Sequence, residues 1–261
     1  MAVIPNFQGL QSDTLLRGVE HHAEIASTND RALELCADVE LPVPFLVIAD
    51  HQTAGRGRGA NRWWSSKGAI LFSVIVDAAE YALPESRWPQ ISLTAGAAVC
   101  QTLLELLGAQ MSVGLKWPND VWLNGRKAAG ILVEIPAAQR GRLVIGIGLN
   151  VNNSFESASP ELLKLATSMR DETGIESDRC EVLVRLLRKL DEDLRCLAAG
   201  DLSLPERWRN LCVLRDRTVS LDNGQRQVTG RCLGIAEDGA LRLQTPSGEQ
   251  RHYGGVVSRI V

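Results

Sequence analysis

The residues with the clearest chemical potential in this 261-residue sequence form a run of alternating glycine and arginine, Gly55-Arg56-Gly57-Arg58-Gly59. Glycine lets backbone amides approach a ligand closely, and each arginine carries a planar set of donors that suits carboxylate and phosphate oxygens. The run follows an apolar segment and precedes Trp63-Trp64. It therefore predicts a cradle for an anion, with a solvated flexible loop as the alternative.

The same run nearly satisfies a dinucleotide-binding fingerprint, with Gly55, Gly57 and Ala60 at the required spacing. That fingerprint needs a helix to begin at the glycines, so that its N-terminus faces a pyrophosphate. The residues that follow, Asn61 to Gly68, form a poor helix start. An oxidoreductase is therefore disfavoured, and the chain contains no G-x-x-x-x-G-K-[ST] motif that would indicate a P-loop.

Two lysines lie in a second stretch, residues 116–130, close to the ends of predicted strands. Lys116 begins Lys116-Trp117-Pro118-Asn119-Asp120, where a proline ends a strand, and Lys127 precedes the small residues Ala128-Ala129-Gly130. Between them, Asn124-Gly125 favours the positive φ angles of a tight hairpin turn. Pairing about that turn would bring the two lysines close together on neighbouring strands, and an anionic ligand would explain two like charges there. The alternative is that the first motif is only a turn.

A mixed α+β domain is predicted to carry both stretches. Apolar runs rich in β-branched residues predict strands, and longer apolar patterns bounded by capping residues predict helices. The predicted elements are a strand and a helix within 14–39, strands at 45–49 and 69–77, a helix at 89–107, a β-meander across 113–153 and a helix at 178–199. The long polar loop 51–68 separates two of the strands, and most of residues 152–173 carry no clear pattern.

The chain changes character after about Cys212. Asn223-Gly224, Asp238-Gly239 and Ser247-Gly248 are turn signals that separate short strand-like runs. We therefore predict two domains, residues 1–212 and 213–261, of which the second is a small antiparallel barrel or sandwich.

Overall composition restricts the classes of function. A net charge of -3 gives no general cationic field for nucleic acid, so an anion site has to be local. The six cysteines include no C-x-x-C pair and the four histidines show no metal-ligand spacing, so a disulfide framework or zinc site is not expected. The sequence shows no leader and no membrane-length apolar run, which predicts a cytoplasmic protein without a membrane partner.

Five motifs, in this order, resemble those of biotin protein ligases. They are Ser27-Thr28-Asn29, Gly55 to Arg58, Lys116 to Asp120, Arg126 to Leu132, and Gly146-Ile147-Gly148-Leu149-Asn150. The resemblance implies a central mixed β-sheet flanked by helices, of the class II synthetase-like kind that biotin and lipoyl ligases share, and a small C-terminal SH3-like β-barrel. The sequence departs from the family pattern at Ala60-Asn61-Arg62 in the loop and in lacking a glutamate at 254–258.

The resemblance also implies a reaction. Biotin and ATP, with Mg²⁺, would give biotinyl-5′-AMP and pyrophosphate, and a lysine of a biotin carboxyl carrier protein would then displace AMP. The Gly/Arg loop would fold over the adenylate and protect it from water. The sequence does not indicate the metal ligands.

Roles for individual residues follow from the same resemblance. The implied catalytic residues are Lys127, Arg58, Lys116 and Asp120, with Lys127 bridging the biotin carboxylate and the α-phosphate and Asp120 accepting a proton from the incoming lysine. The implied biotin-binding residues are Ser27, Thr28, Asn29, Gln52, Arg56, Gly57, Arg58 and Lys127. The implied ATP-binding residues are Arg56, Arg58, Trp63, Lys116, Asn119 and Asn150. Trp63 is expected to stack on adenine, with packing in the core as its alternative.

Two other functions stay open. A lipoate or octanoate ligase has a similar fold, and a non-catalytic biotin-binding module would bind the ligand without consuming ATP. The presence of Arg56, Arg58 and Lys127 argues against the second. Some family members carry an N-terminal DNA-binding domain, but only about 20 residues precede the match here, so we predict neither a DNA partner nor repression. A homodimer formed through the sheet is expected by analogy alone.

Overall fold

A seven-stranded mixed sheet forms the larger part of the protein. The structure, a computed structural model, describes residues 10–137, 139–156, 158–224 and 226–260. The strands of this sheet are β1 (Gly18–Ile25), β2 (Phe45–Gln52), β3 (Ile70–Asp77), β4 (Val113–Lys116), β5 (Asp120–Leu123), β6 (Arg126–Glu134) and β7 (Arg142–Leu149). They lie in the order β1-β2-β3-β7-β6-β5-β4. β1 and β2 run parallel, and every other neighbouring pair in the sheet is antiparallel.

Helices cover both faces of this sheet. They are α1 (Leu10–Asp13), α2 (Thr28–Leu35), α3 (Ile91–Leu107), α4 (Pro160–Leu165), α5 (Met169–Thr173), α6 (Arg179–Ala199) and α7 (Ser203–Leu211). On one face α3 packs against β4, β5 and β6 and is covered in turn by α6. On the other face α2 packs against β2, β3 and β7. The helical stretch Glu85–Leu107 is long and apolar enough to span a membrane by length and composition, but it is mostly buried in the protein.

The central strands are apolar along their whole length because both of their faces are covered. Side chains alternate between the faces, so Val47, Ile75 and Val144 pack beneath α2. Their neighbours Val74 and Val76 point to the opposite face and join the main core under α3 and α6. This double cover holds the strand ends that carry the site residues in fixed positions.

A second, five-stranded antiparallel sheet follows. Its strands are β8 (Thr218–Asp222), β9 (Gln227–Ile235), β10 (Leu241–Thr245), β11 (Gly248–His252) and β12 (Val256–Ile260), in the order β11-β10-β9-β8-β12. Two hydrogen bonds join it and the preceding segment to the region of β4. Val213 N donates to Leu115 O at 2.9 Å, and the buried Trp117 Nε1 donates to Gly239 O at 3.0 Å.

The predicted α+β architecture is confirmed, and the structure adds elements that the patterns did not reveal. The stretch 152–173 contains α4 and α5, each six residues or fewer, too short to show a helical period. α7 was missed as well. β12 was not recognised because Gly254-Gly255 precedes it and its partner β8 lies far away in the sequence.

One expected pairing is wrong. The Asn124-Gly125 turn, with φ values of 47° and 80°, joins β5 to β6. Lys116 lies one strand further away, on β4, where it is paired with Asp120. Lys116 and Lys127 are therefore on the strands that flank β5 and not on neighbouring strands. The reason is that β4 and β5 form a hairpin of their own, four residues in each strand.

Arg142 binds the segment that follows the C-terminal end of α2. Its side chain is 4% exposed, and its guanidinium donates to the carbonyl oxygens of Asp38 at 2.5 Å and Val39 at 3.1 Å, with longer bonds to Leu41 and Cys36. These carbonyls lie at or just beyond the C-cap of α2, Cys36, so Arg142 ties the chain that leaves the helix to the start of β7.

Replacing Arg142 with methionine is expected to lower the free energy of unfolding by about 2–4 kcal/mol, because the bonds from one buried guanidinium to four carbonyls are lost at once. Urea unfolding followed by circular dichroism measures the change. The control is Arg140→Met, an exposed arginine in the same turn. Equal midpoints for the two variants would contradict this account.

Candidate active site

The loop after β2 crosses the large sheet and encloses a cavity of about 350 Å³. The wall also includes Gly255, Val256 and Val257, which belong to the second sheet and the turn before β12. The predicted site residues that line this cavity are Ser27, Thr28, Asn29, Gln52, Arg56, Gly57, Arg58, Trp63, Lys116, Asn119, Asp120 and Lys127. The fold thus brings together residues that are up to one hundred positions apart in the sequence.

Neutral hydrogen-bonding groups form one end of the cavity. Thr28 N donates to Gln52 Oε1 at 2.7 Å, which leaves the amide nitrogen of Gln52 as a donor. Ser73 Oγ lies 2.6 Å from Asn29 Oδ1 and 2.8 Å from Thr28 Oγ1. The Ser27 side chain caps α2 by accepting a bond from the backbone of residue 30. A fixed set of neutral donors and acceptors suits an uncharged polar ring such as a cyclic urea.

Positive charge gathers at the other end. Lys127 Nζ lies 2.5 Å from Asp120 Oδ1, and Lys116 Nζ lies 5.3 Å from the centre of the Trp122 ring. Burial lowers the pKa of Lys116 below its ordinary value; Asp120 opposes this lowering and the charge of Lys127 adds to it. Two ammonium groups that share one carboxylate leave a net positive charge that favours an anionic ligand.

The Gly/Arg loop is folded as a short hairpin. Gly57 N donates to Asn61 O at 2.8 Å, and Trp63 N donates to Gly55 O at 2.9 Å. Arg58 Nη1 reaches across the mouth of the cavity to Gly255 O at 2.8 Å. The loop therefore touches the second sheet as well as the first.

Arg56 is engaged by carboxylates from two other elements. Its guanidinium lies 2.5 Å from Asp30 Oδ1 and 2.6 Å from Glu134 Oε1. In this arrangement its charge is balanced by protein groups, in contrast to Arg58, which bonds to a neutral carbonyl. The two arginines expected to bind an anion therefore differ, because carboxylates of the protein balance the charge of Arg56 but not that of Arg58.

Trp63 lies flat against bare backbone. A Cβ atom on Gly148 would lie 2.5 Å from Trp63 Cε2, and one on Gly130 would lie 3.2 Å from Trp63 Cζ3. Lys127 Nζ lies 5.8 Å from the centre of the ring. The indole is half-buried and also lines the cavity, so packing and a ligand surface are combined in one residue.

Asn150 is the predicted site residue that the structure places elsewhere. It is 3% exposed and lies outside the cavity lining. Its Nδ2 donates to Thr167 O at 2.9 Å, and its Oδ1 accepts from Asn153 Nδ2 at 3.2 Å. Both ends of the amide join the end of β7 to the segment before α5, and the role of Asn150 in orienting the nucleotide stays a prediction.

Sequence reasoning missed several lining residues. Arg62 lines the cavity, and its position beside Trp63 indicates that it belongs to the same loop arm. Gly146, in the last of the five motifs, also lines the cavity, and a Cβ atom there would overlap Asn29 Oδ1. Gly255 and Val256 could not be predicted, because nothing local shows that this turn lies over the cavity.

The chain belongs to the biotin/lipoate A/B protein ligase family, which matches residues 23–152, and the biotin protein ligase C terminal domain matches residues 216–259. Its similarity is to the biotin ligases in particular. The bifunctional ligase/repressor BirA of Bacillus subtilis (strain 168) is 34% identical over 254 residues, which cover 94% of this chain and 75% of that protein.

Two further relatives support the assignment. The biotin--[acetyl-CoA-carboxylase] ligase of Mycobacterium tuberculosis is 36% identical over 225 residues, covering 85% of this chain and 81% of that one. The biotin protein ligase from Aquifex aeolicus in complex with biotin and ATP matches with a TM-score of 0.81 at 28% identity, covering 94% of this chain and 100% of that chain. The resemblance inferred from the five motifs, and the fold it implied, are confirmed.

Replacing Gly148 with alanine is expected to displace the Trp63 ring, because the new Cβ would lie 2.5 Å from the indole. Overpacking of this kind costs about 1–3 kcal/mol. If the ring carries the adenine, the KM for ATP in a ligase assay should rise by about tenfold, equivalent to roughly 1.4 kcal/mol.

The control is Gly230→Ala on β9, outside the cavity lining, where the new Cβ would lie 2.6 Å from Gln244 O. This variant is overpacked in the same way and should keep the wild-type KM for ATP. An unchanged KM for ATP in the Gly148 variant, with the protein folded, would show that the ring does not carry the nucleotide.

Proposed function

We propose that this protein activates biotin with ATP to form biotinyl-5′-AMP and pyrophosphate, and then transfers biotin to a lysine of a biotin carboxyl carrier protein or domain. The observation that carries the proposal is the polarity of a single cavity. Neutral donors and acceptors at one end suit the ureido ring of biotin, and the cluster of Lys116, Asp120 and Lys127 at the other end suits a carboxylate beside a phosphate.

The first step has to bring two anions together. Two unit charges about 4 Å apart repel by roughly 4 kcal/mol at an effective dielectric constant of 20. Lys127 Nζ, between the Trp63 ring and Asp120, is the cation best placed to bridge the biotin carboxylate and the α-phosphate. The carboxylate oxygen attacks the α-phosphorus, and the bond to pyrophosphate breaks. Lys116 and Arg58 would then hold the phosphate oxygens, and Asn119 lines the same wall.

The second step needs a neutral amine. The incoming lysine is protonated at neutral pH, so its ammonium has to lose a proton before nitrogen attacks the acyl carbon and AMP leaves. Asp120 is the carboxylate that lies in the cavity beside the reacting groups, and we assign it the role of proton acceptor. Once Asp120 has taken up the proton, the ammonium group of Lys127 would be left to pair with the phosphate of the departing AMP.

Magnesium would enter with the triphosphate. The described residues contain no group of three or more His, Cys, Asp or Glu side chains that could hold a metal ion. Mg²⁺ commonly keeps several waters and binds through substrate phosphates with one or two carboxylates, so the acidic and amide oxygens at the phosphate end fit such an ion. Its contribution would be to neutralise the leaving pyrophosphate.

The partner is expected to be the biotin carrier of a carboxylase, since relatives carry the name biotin--[acetyl-CoA-carboxylase] ligase. Cytoplasmic location, a homodimer, and the absence of DNA and membrane partners stay predictions. So do the domain boundary between residues 212 and 213 and the individual residue roles. A lipoate or octanoate ligase is the second candidate, because the matched family includes lipoate ligases.

Biotin-dependent exchange of labelled pyrophosphate into ATP is the direct test of the first step. We expect exchange with biotin and none with lipoate or octanoate. Lys127→Ala should lower the rate by about 10²–10³-fold, the usual cost of removing a group that stabilises transition-state charge. The free energy of unfolding should change little, because Lys127 is partly exposed.

The control is Lys164→Ala, an exposed lysine on α4. Exchange with lipoate alone would move the protein to the sister activity. No exchange with any of the three acids would leave a binding module.

The pH dependence should report on Lys116. Its lowered pKa means that rising pH removes its charge earlier than it would from an ordinary lysine. The KM for ATP should therefore rise on the alkaline side of a profile taken over about pH 7–10. In Lys116→Arg, whose guanidinium stays protonated, this rise should disappear.

Lys67→Arg, at an exposed lysine of the loop, is the control and should keep the wild-type profile. Identical profiles for Lys116→Arg and the wild type would exclude Lys116 as the titrating group.

A further inference from the structure

Glu134, at the end of β6, lies outside the cavity lining but contacts two residues that line it. Its Oε1 accepts a bond from Arg56 Nη2 at 2.6 Å, and its Oε2 accepts from Arg56 Nη1 at 3.1 Å and from Asn29 Nδ2 at 2.8 Å. One carboxylate therefore holds the first arm of the Gly/Arg loop against the first turn of α2.

We propose that Glu134 is a positioning residue for biotin. It joins Arg56 to Asn29. Through Arg56 it sets the position of the loop, and through Asn29 it sets which groups donate and accept on the cavity floor, formed by Thr28, Asn29 and Gln52. The inference rests on the proposed function, because biotin is the ligand whose affinity Glu134 would control.

The acceptors that face the Asn29 amide, Glu134 among them, decide which groups on the cavity floor donate and which accept hydrogen bonds. The carboxylate and the carbonyl oxygen of Leu132, 3.3 Å from Asn29 Nδ2, both only accept, so the nitrogen of the Asn29 amide faces them and Asn29 Oδ1 is turned toward Ser73. Ser73 has a single hydroxyl proton, which Asn29 Oδ1 takes at 2.6 Å. Thr28 Oγ1 donates its own proton to Gln52 Oε1 at 3.2 Å and keeps lone pairs for an N–H of the ligand.

The loop is positioned through Arg56. This residue begins the hairpin whose tip carries Arg58, and an isolated bridge pairs it with Arg62 on the returning arm. Glu134 from β6 and Asp30 from α2 bind the same guanidinium from two separate elements. Releasing the Glu134 side would free the start of the hairpin while its far contact, Arg58 to Gly255, remained.

An ordinary surface ion pair would not have this effect, because exposed pairs contribute about 0–1 kcal/mol. Glu134 differs in accepting three bonds from two residues, one of which, Asn29, is only 4% exposed. An amide in its place would set its own NH₂ against the donors of Arg56 or Asn29. Glu134→Gln would therefore disturb the orientation of the Arg56 and Asn29 side chains as well as remove a charge.

The test compares Glu134→Gln with the wild type. Biotin affinity, measured by calorimetry and as KM in pyrophosphate exchange, should weaken by about tenfold. The KM for ATP should change less, because Trp63 keeps its packing on Gly130 and Gly148 and Arg58 keeps its bond to Gly255 O. Tryptic cleavage after Arg56, Arg58 or Arg62 in the ligand-free protein should become faster, and Glu134→Asp should restore part of both properties.

Glu34→Gln is the matched control. It removes the same charge from α2, where Glu34 is 67% exposed and pairs with Arg31. It should leave biotin affinity and loop cleavage at wild-type values. Equal effects from the two substitutions would reduce the role of Glu134 to bulk charge and overturn the inference.

A double-mutant cycle with Arg56→Gln separates positioning from a general structural effect. If Glu134 acts largely through Arg56, Glu134→Gln should weaken biotin binding much less in the Arg56→Gln protein than in the wild type. Fully additive losses, or no loss in either background, would overturn the inference. Should Glu134→Gln fail to fold, Asp30→Asn at the exposed partner of the same guanidinium has to show a smaller loss of the same kind, and unchanged affinity there would also overturn it.

Failure of the proposed function would be recognised separately. A wild-type protein that exchanges pyrophosphate with lipoate, or with no acid, contradicts the biotin ligase activity. The cleavage rates of the loop in the Glu134, Glu34 and Arg56 variants still decide whether this carboxylate holds the hairpin.

Discussion

The cavity depends on two positions of β7 that carry no side chain. At Gly146 the Asn29 amide occupies the place of a Cβ, and at Gly148 the Trp63 indole does. The strand is buried on both faces elsewhere, so these gaps are where α2 and the loop can touch the sheet backbone. Close approach by both elements leaves the enclosed space between them, and the polar strand ends of β5 and β6 face into it. Filling either gap would move one wall of the cavity.

Two of the cations that line the cavity are paired with carboxylates of the protein. Lys127 pairs with Asp120, and Arg56 pairs with Asp30 and Glu134, whereas Arg58 bonds to the carbonyl of Gly255. Such pairing keeps flexible side chains in place before the ligand arrives, which lowers the entropic cost of binding. Lys116 differs from these cations because burial disfavours its charged form, and a bound anion would favour that form again.

Sequence reasoning reached the fold class, most strands and the main helices because apolar runs and turn residues are local signals. It also named twelve of the twenty-six residues that line the cavity, since the motif residues lie at strand ends and in one loop. It failed where the outcome depends on distant partners. The short β4–β5 hairpin separates Lys116 from Lys127, and β12 pairs with a strand more than thirty residues earlier. The role of Glu134 is of the same kind, because its partners lie 78 and 105 residues away.

The contacts that bring the second sheet to the cavity are made to main-chain oxygens. Arg58 bonds to the carbonyl of Gly255, and Trp117 bonds to the carbonyl of Gly239. A carbonyl is present whatever side chain its residue carries, but both of these carbonyls belong to glycines with positive φ, 85° at Gly239 and 136° at Gly255. The two joints therefore depend on the backbone of each turn and on where the turn ends. Related chains should keep these two glycines and the length of both turns, and a one-residue insertion before β12 should disturb the ligand site more than any exchange of side chains on the outer face of that sheet.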